Sequence, residues 1–211
     1  YNPRMAQSFW RRLRRGRPIV VVSGLPRSGT SMAMAMLEAG GLPIVTDGVR
    51  AADASNPKGY YEYERVKELD KPGDHAWLAG ARGKAVKIIS FLLTHLPESY
   101  DYQVILMQRD LDEVLASQNK MLESRGEASG ADDAQMRALY EEHLAQVDRF
   151  TRNRSCFSVL KLPYAAVVVN PHAEAARINA FLGGRLDVGQ MAAVADRALY
   201  RNRREATPAQ P

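Results

Sequence analysis

Cysteine is nearly absent from this chain: the single Cys156 can close no internal disulfide. Its apolar neighbours Phe157, Val159 and Leu160 mark it as a buried core thiol rather than a nucleophile. A reducing compartment fits, and the sequence reads as cytoplasmic. No apolar run approaches the ~20 residues needed to cross a bilayer. Nor does any stretch show the basic start, apolar centre and small-residue cleavage site of a secretory leader, so a soluble protein is expected. The four histidines are scattered, and no His, Cys, Asp or Glu group has metal-ligand spacing, so no metal is expected. Internal repeats and low-complexity tracts are missing too. Position 1 is Tyr1 rather than methionine, which reads as a trimmed or processed chain.

Acid is absent from residues 1–17, which hold six arginines: Arg4, Arg11, Arg12, Arg14, Arg15 and Arg17. The net charge of +5 invites a nucleic-acid reading. The other 23 basic residues, however, face all 24 acids, so the body of the chain is near −1. The charge belongs to a basic N-terminal arm. Such an arm can touch an anionic membrane peripherally or nucleic acid, and a solvated face is the commoner explanation, which argues against nucleic acid. With 211 residues and 45% hydrophobic content, one core is the default. The expected division is the arm (1–17), a single domain (18–204) and a flexible tail (205–211).

What is present is a β-branched run, Ile19 to Val22, followed by Ser23-Gly24-Leu25-Pro26-Arg27-Ser28-Gly29-Thr30-Ser31 and an apolar Met/Ala/Leu run. Strand, tight loop and helix in that order form a phosphate cradle: loop N–H groups and the positive helix end point at one anion. The glycine spacing matches the ATP and GTP loop except at Thr30, where that loop carries lysine. Arg27 supplies a cation three residues earlier. A polyphosphate-like anion other than an ordinary nucleoside triphosphate is the expectation.

Further along, strands are predicted over Ala85–Ile89, Tyr102–Met107 and Ser158–Leu162, and a short apolar piece over Leu42–Val45. Helices are predicted over Ser28–Ala39, Glu62–Leu69, Leu111–Ser124, Asp132–Arg152, Pro171–Leu182 and Val188–Tyr200, with a short one ended by Pro97. Strands alternating with helices imply an α/β fold, a three-layer α/β/α arrangement around a central parallel sheet. Ligands of such sheets lie beyond the carboxyl ends of the strands, where the loop, Lys87 and Arg109 emerge.

Arg109 follows a strand, and Ser117 lies about two helical turns further on. The two can pinch a second, separate phosphate. Equally, Arg109 can pair with Asp110, Asp112 or Glu113 while Ser117 is an ordinary helix residue. Together with Pro26-Arg27-Ser28-Gly29-Thr30-Ser31, the pair resembles the sulfotransferase superfamily. Its members hold the 5′-phosphosulfate of 3′-phosphoadenosine-5′-phosphosulfate (PAPS) on such a loop and the 3′-phosphate on an arginine and a serine at this spacing. The arginine form of the loop is similar to the carbohydrate and protein-tyrosine branches. Asn56-Pro57-Lys58-Gly59-Tyr60-Tyr61-Glu62, Met121-Leu122 with Arg125-Gly126, and Leu199-Tyr200-Arg201-Asn202-Arg203 look like bacterial members.

The resemblance implies a P-loop-like sulfotransferase fold, PAPS as donor, 3′-phosphoadenosine-5′-phosphate (PAP) as product, and no metal requirement. It implies that Arg27, the loop amides and Lys87 stabilise the leaving phosphate, with Arg109 and Ser117 on the 3′-phosphate. Tyr164 stands where relatives have a tyrosine near adenine. The following residues are Ala165-Ala166, not the family's acids, and a buried core tyrosine fits equally. Thr94-His95-Leu96-Pro97 imitates a catalytic motif of the small-molecule branch but lies too close to Arg109, and Lys87 occupies the appropriate strand. A carboxylate after the first helix is implied as general base, with Glu62 favoured over Asp47 because Tyr60, Tyr61 and Tyr63 flank it; Asp53 and Arg50 are second-line. The acceptor is a small molecule, carbohydrate or peptide, and oligomeric state is open. The competing readings are a P-loop kinase or nucleotide hydrolase and a non-catalytic nucleotide- or polyanion-binding module.

Overall fold

The computed structural model describes residues 15–48, 61–124, 126 and 132–195. Its centre is a five-stranded, wholly parallel sheet in the order β2-β3-β1-β4-β5. The strands are β1 (Ile19–Ser23), β2 (Ile44–Val45), β3 (Ala85–Lys87), β4 (Tyr102–Gln108) and β5 (Phe157–Pro163). All five residues of β1 are buried, as a strand covered on both faces requires.

Side chains alternate across that sheet. Val20 and Val22, with Ile105 and Met107, pack under α1 (Thr30–Ala39), α5 (Tyr164–Val169), α6 (Pro171–Leu182) and α7 (Val188–Val194). Ile19 and Val21, with Tyr102, Val104 and Leu106, face the other way. That side is covered by α4 (Asp133–Arg152), by two 3₁₀ turns (Glu64–Glu68 and Ser90–His95) and by the short α2 (Trp77–Gly80). Helix α3 (Leu111–Ser124) leans on α4. The result is the expected α/β architecture with helices on both faces. Cys156 is buried against Tyr102, and burial pushes its thiol pKa up, as befits a core residue.

Several boundaries differ from the sequence expectation. The strand expected to reach Ile89 ends at Lys87, although Ile88 N–H still bonds Val22 O at 3.0 Å. The helix expected over Glu62–Leu69 is a 3₁₀ turn over Glu64–Glu68. Tyr164–Val169, for which the sequence predicts no element, is helical; Pro163 ends β5, and Asn170-Pro171 then starts α6. The first helix begins at Thr30 rather than Ser28, because Arg27 and Gly29 both take left-handed backbone (φ 68 and 97).

Candidate active site

The loop between β1 and α1 sits at the carboxyl end of the middle strand. Gly24 is required there by close approach: a Cβ would lie 2.4 Å from Ser28 Oγ and 2.9 Å from the Met107 carbonyl. Gly29 combines φ 97 with a Tyr164 ring that a Cβ would meet at 2.4 Å. Ser28 Oγ is buried and, among the described residues, has no hydrogen-bond partner. The first turn of α1 contains no acid of its own to offset its positive end. Pro26 is exposed at the loop tip, Thr30 is buried, and Ser31 is half-buried with its Oγ 3.5 Å from Lys87 Nζ. Lys87 thus reaches α1 from the neighbouring β3.

Arg27 is the junction of the site. Its Nε donates to Ser117 Oγ at 3.0 Å, and its carbonyl accepts from Arg109 Nη1 at 3.1 Å. Arg109 also donates through Nε to Glu113 Oε2 at 3.0 Å, and its guanidinium lies 4.6 Å from the centre of the Tyr164 ring. Arg109 and Glu113 are 7% and 6% exposed, so the pair is shielded from solvent. A buried guanidinium needs such a partner to balance the loss of hydration. The sequence left two readings of Arg109 open, an ion pair or a phosphate contact. It does pair with Glu113, yet keeps a second arm on the loop. Ser117 is not an idle helix residue, because it receives the loop arginine.

A cavity of about 310 Å³ opens beside this cluster, lined by Gln108, Arg109, Asp110, Glu113, Pro163 and Ala165. Tyr164 does not line it. The residue is 4% exposed, with Gly29 and Arg109 against its ring. Among the described residues no His, Cys, Asp or Glu group is placed to hold a metal ion.

The two carboxylate candidates lie side by side, beyond β2. Asp47 N–H bonds Glu62 O at 3.3 Å, and Asp47 Oδ2 accepts the Glu64 N–H at 2.6 Å, so this carboxylate caps the 3₁₀ turn. Glu62 is half-buried, and its carbonyl also accepts from Thr46 Oγ1. Two of the three tyrosines expected to flank it have other partners. Tyr61 donates to Glu38 Oε2 at 2.7 Å, and burial, then that hydrogen bond, raises its phenol pKa. Tyr63 turns edge-on to Trp77, with ring centres 5.2 Å apart. Tyr60, Arg50 and Asp53 lie outside the described residues, as do Asn56 to Gly59 and Leu199 to Arg203. His95 is exposed at the far end of its 3₁₀ turn, away from the loop.

Two further residues support the loop from below. Ser90 N–H bonds Gly24 O at 3.0 Å, and Ser90 Oγ lies 2.9 Å from Nε2 of His143 on α4. No local pattern links positions this far apart in sequence. The Arg109/Glu113 pair, by contrast, has the i,i+4 spacing that helices allow.

Comparison with known proteins decides the family: the sulfotransferase domain matches residues 17–210. The chain belongs to the sulfotransferase family. It is therefore a sulfotransferase enzyme, of a family that uses PAPS. No curated protein matches it significantly. Among solved structures it is similar to a sulfotransferase domain from the curacin biosynthetic pathway (14% identity, TM-score 0.48, 84% of this chain and 77% of that one). It is also similar to retinol dehydratase in complex with androsterone and the inactive cofactor PAP (19% identity, TM-score 0.42, 85% of this chain). This sulfotransferase spans 64% of that protein's length. A third is an unliganded sugar kinase from Janibacter sp. HTCC2649 (15% identity, TM-score 0.40, 85% and 99% of the two chains). No described helix of the enzyme is long and apolar enough to cross a membrane.

Proposed function

We propose that this sulfotransferase takes PAPS as donor and passes the sulfuryl group to a hydroxyl or amine on a small-molecule, carbohydrate or peptide acceptor. The observation that carries the reading is the meeting of Arg109 and Ser117 on Arg27, one through the carbonyl and the other through the side chain. A donor with two separated phosphates accounts for both groups. The residues fit such a ligand: among the described residues Ser28 Oγ is buried without a hydrogen-bond partner, no Cβ fills the cradle at Gly24 or Gly29, and the first turn of α1 holds no acid. The cavity beside Arg109 offers room for the nucleoside end.

Bound there, PAPS supplies a sulfuryl group activated by a phosphate leaving oxygen. The chain's part is to position and to stabilise charge, as in phosphoryl transfer. Arg27, the loop N–H groups with Ser28, Thr30 and Ser31, and Lys87 hold negative charge at the leaving end. Arg109 and Ser117 hold the distal phosphate. Glu62 takes the acceptor proton; Asp47 is the second choice, because its carboxylate is occupied by the Glu64 N–H.

Thermal shift with PAP, AMP and ATP tests the reading. PAP at 100 times its Kd is expected to stabilise the protein by about 2.7 kcal/mol, with AMP well behind and ATP ineffective. Arg109→Ala is expected to erase the preference of PAP over AMP. If ATP with Mg²⁺ stabilises best, the enzyme does not use PAPS. If Arg109→Ala keeps the preference, the second phosphate site is misplaced.

A further inference from the structure

The segment that leaves β3 runs on beside the loop as though the sheet continued. Ile88 N–H bonds Val22 O and Ser90 N–H bonds Gly24 O, both at 3.0 Å, the two-residue step of a parallel ladder. Its side chains therefore keep alternating. Lys87 points to Ser31 on α1 and Ile88 is buried on the opposite face. Ile89 returns to the Lys87 side, roughly 7 Å further towards the carboxyl end, and is 38% exposed. On the far side of this segment from the loop, β2 ends with Val45 opposite Val86, so Asp47, and Glu62 bonded to it, emerge there. Ile89 thus stands between the loop and the two carboxylates.

Two residues on, Phe91 is 41% exposed, with its ring stacked on that of His143 of α4. Helix α4 runs antiparallel to the strands, because β5, which follows it, begins beside the start of β4. Leu139, one turn before His143 on the same face, is therefore nearer the carboxyl ends, and it is 58% exposed. Among the described residues Val169 is the one other large hydrophobic left exposed. Large apolar side chains exposed as a group, rather than singly, mark a surface that another molecule covers.

We propose that the strip formed by Ile89, Phe91 and Leu139 receives the acceptor, and that the acceptor is an alcohol on an apolar body rather than a sugar. The inference rests on the PAPS reading and narrows its acceptor. Position selects the occupant: the strip starts between the donor loop and the carboxylates, where the group that takes the sulfuryl has to lie. Chemistry selects the class. From Ile88 to Phe91 the one polar side chain is Ser90, buried and bonded to His143, so a sugar's hydroxyls would lose water there with no partner in return. In turnover the alcohol oxygen forms the new S–O bond, its proton passes to Glu62, and the electron pair of the broken S–O bond stays on the leaving phosphate oxygen.

The experiment is a ligand-observed NMR titration of the 211-residue chain, with and without saturating PAP, using butanol, hexanol, octanol and glucose. Affinity is expected to rise between about twofold and fourfold per added methylene, the upper figure being that of full burial, with glucose not bound. Ile89→Ser and Leu139→Ser, both at exposed positions, are each expected to weaken octanol by about fivefold and to keep the parent's PAP thermal shift. With PAPS, octanol is expected to yield octyl sulfate, and Glu62→Gln to lose that product while binding octanol as the parent does. Glucose bound as tightly as octanol, no gain with chain length, or parent-like octanol binding by both variants overturns the proposal. In the last case a lowered melting temperature of the ligand-free variants assigns the strip to a covering segment of this chain, and the loss of a dimer assigns it to a second copy. Binding of both octanol and PAP with no octyl sulfate formed overturns the acceptor role. If PAP gives no thermal shift while the chain-length gain and its loss in the variants stand, the donor reading is the one that fails, and the strip keeps its ligand class.

Discussion

Arg27 occupies the left-handed backbone region (φ 68) that residues with a Cβ avoid at about 1–2 kcal/mol. It is held there by two partners that belong to the same site, Ser117 on its side chain and Arg109 on its carbonyl. The sequence displays Arg27, Arg109 and Ser117 as separate signals, and the spacing of the last two gives a reason to pair them. It does not display their convergence on Arg27, nor the choice of Glu113 as counter-ion among three nearby acids, because both depend on which way side chains turn after the backbone is fixed. The carboxylates illustrate the same limit. On a line of text Glu62 is favoured over Asp47 only by its tyrosine neighbours, and the hydrogen bond from Glu64 N–H to the Asp47 carboxylate is a difference no sequence pattern displays. Glu62→Gln is accordingly expected to lower kcat by about a hundredfold to ten-thousandfold, the range general bases contribute, with PAP affinity retained. Steady-state kinetics beside PAP titration check this. Unchanged turnover removes Glu62 from the role, and loss of turnover in Asp47→Asn moves the role there.

At the scale of elements, the loop is carried by what packs beneath it. Leu25 is buried with Val114 and Leu115 of α3 and Tyr140 of α4, and Tyr140 donates to Gln118 Oε1 at 2.8 Å. Nearby, His143 is stacked on Phe91, ring centres 3.8 Å apart, and bonded to Ser90, which in turn holds Gly24. Burial lowers the His143 pKa below its ordinary value. A histidine depressed in the folded state is neutral there while the unfolded chain still takes a proton. Its contribution to stability is thus complete above pH ~6.5 and is lost as pH falls below that value towards the folded pKa. Denaturant titrations between pH 7.5 and 5.5 are expected to show this loss, at a slope of at most about 1.4 kcal/mol per pH unit for one proton. In His143→Gln the slope is expected to shrink; if it persists, another group is responsible. The long helices α3, α4 and α6 were legible from apolar spacing and caps, such as Asp132 accepting Ala134 N–H. The two 3₁₀ turns were legible as short helical pieces but not as 3₁₀ in form, and α5 was not legible, since it is only six residues long.

For the molecule as a whole, the alternation of strands and helices was enough to imply a parallel sheet, with β1 and β4 among its predicted strands. The strand order β2-β3-β1-β4-β5 was not stated by any residue. It follows from how crossovers lie on the two faces, a property of the closed fold. That order puts β1 between β3 and β4, and so puts the loop where side chains from β3, β4 and α3 converge.

One consequence concerns the order in which the enzyme is made. The cradle residues Gly24 to Ser31 leave the ribosome early, but Gly24 rests on Met107, Arg27 is held by Arg109 and Ser117, and Gly29 lies on Tyr164. The last of these supports is synthesised roughly ten seconds after the loop, at ordinary elongation rates. During that interval the loop has its sequence but not its shape, and a nascent chain has nothing with which to grip a nucleotide. Refolding from denaturant is expected to repeat this dependence. PAP binding is expected to recover with the far-ultraviolet signal of the completed sheet rather than ahead of it. A stopped-flow comparison in which nucleotide binding returns first contradicts it. A cell therefore cannot use this nucleotide to rescue a half-made copy of the enzyme, only to stabilise a finished one.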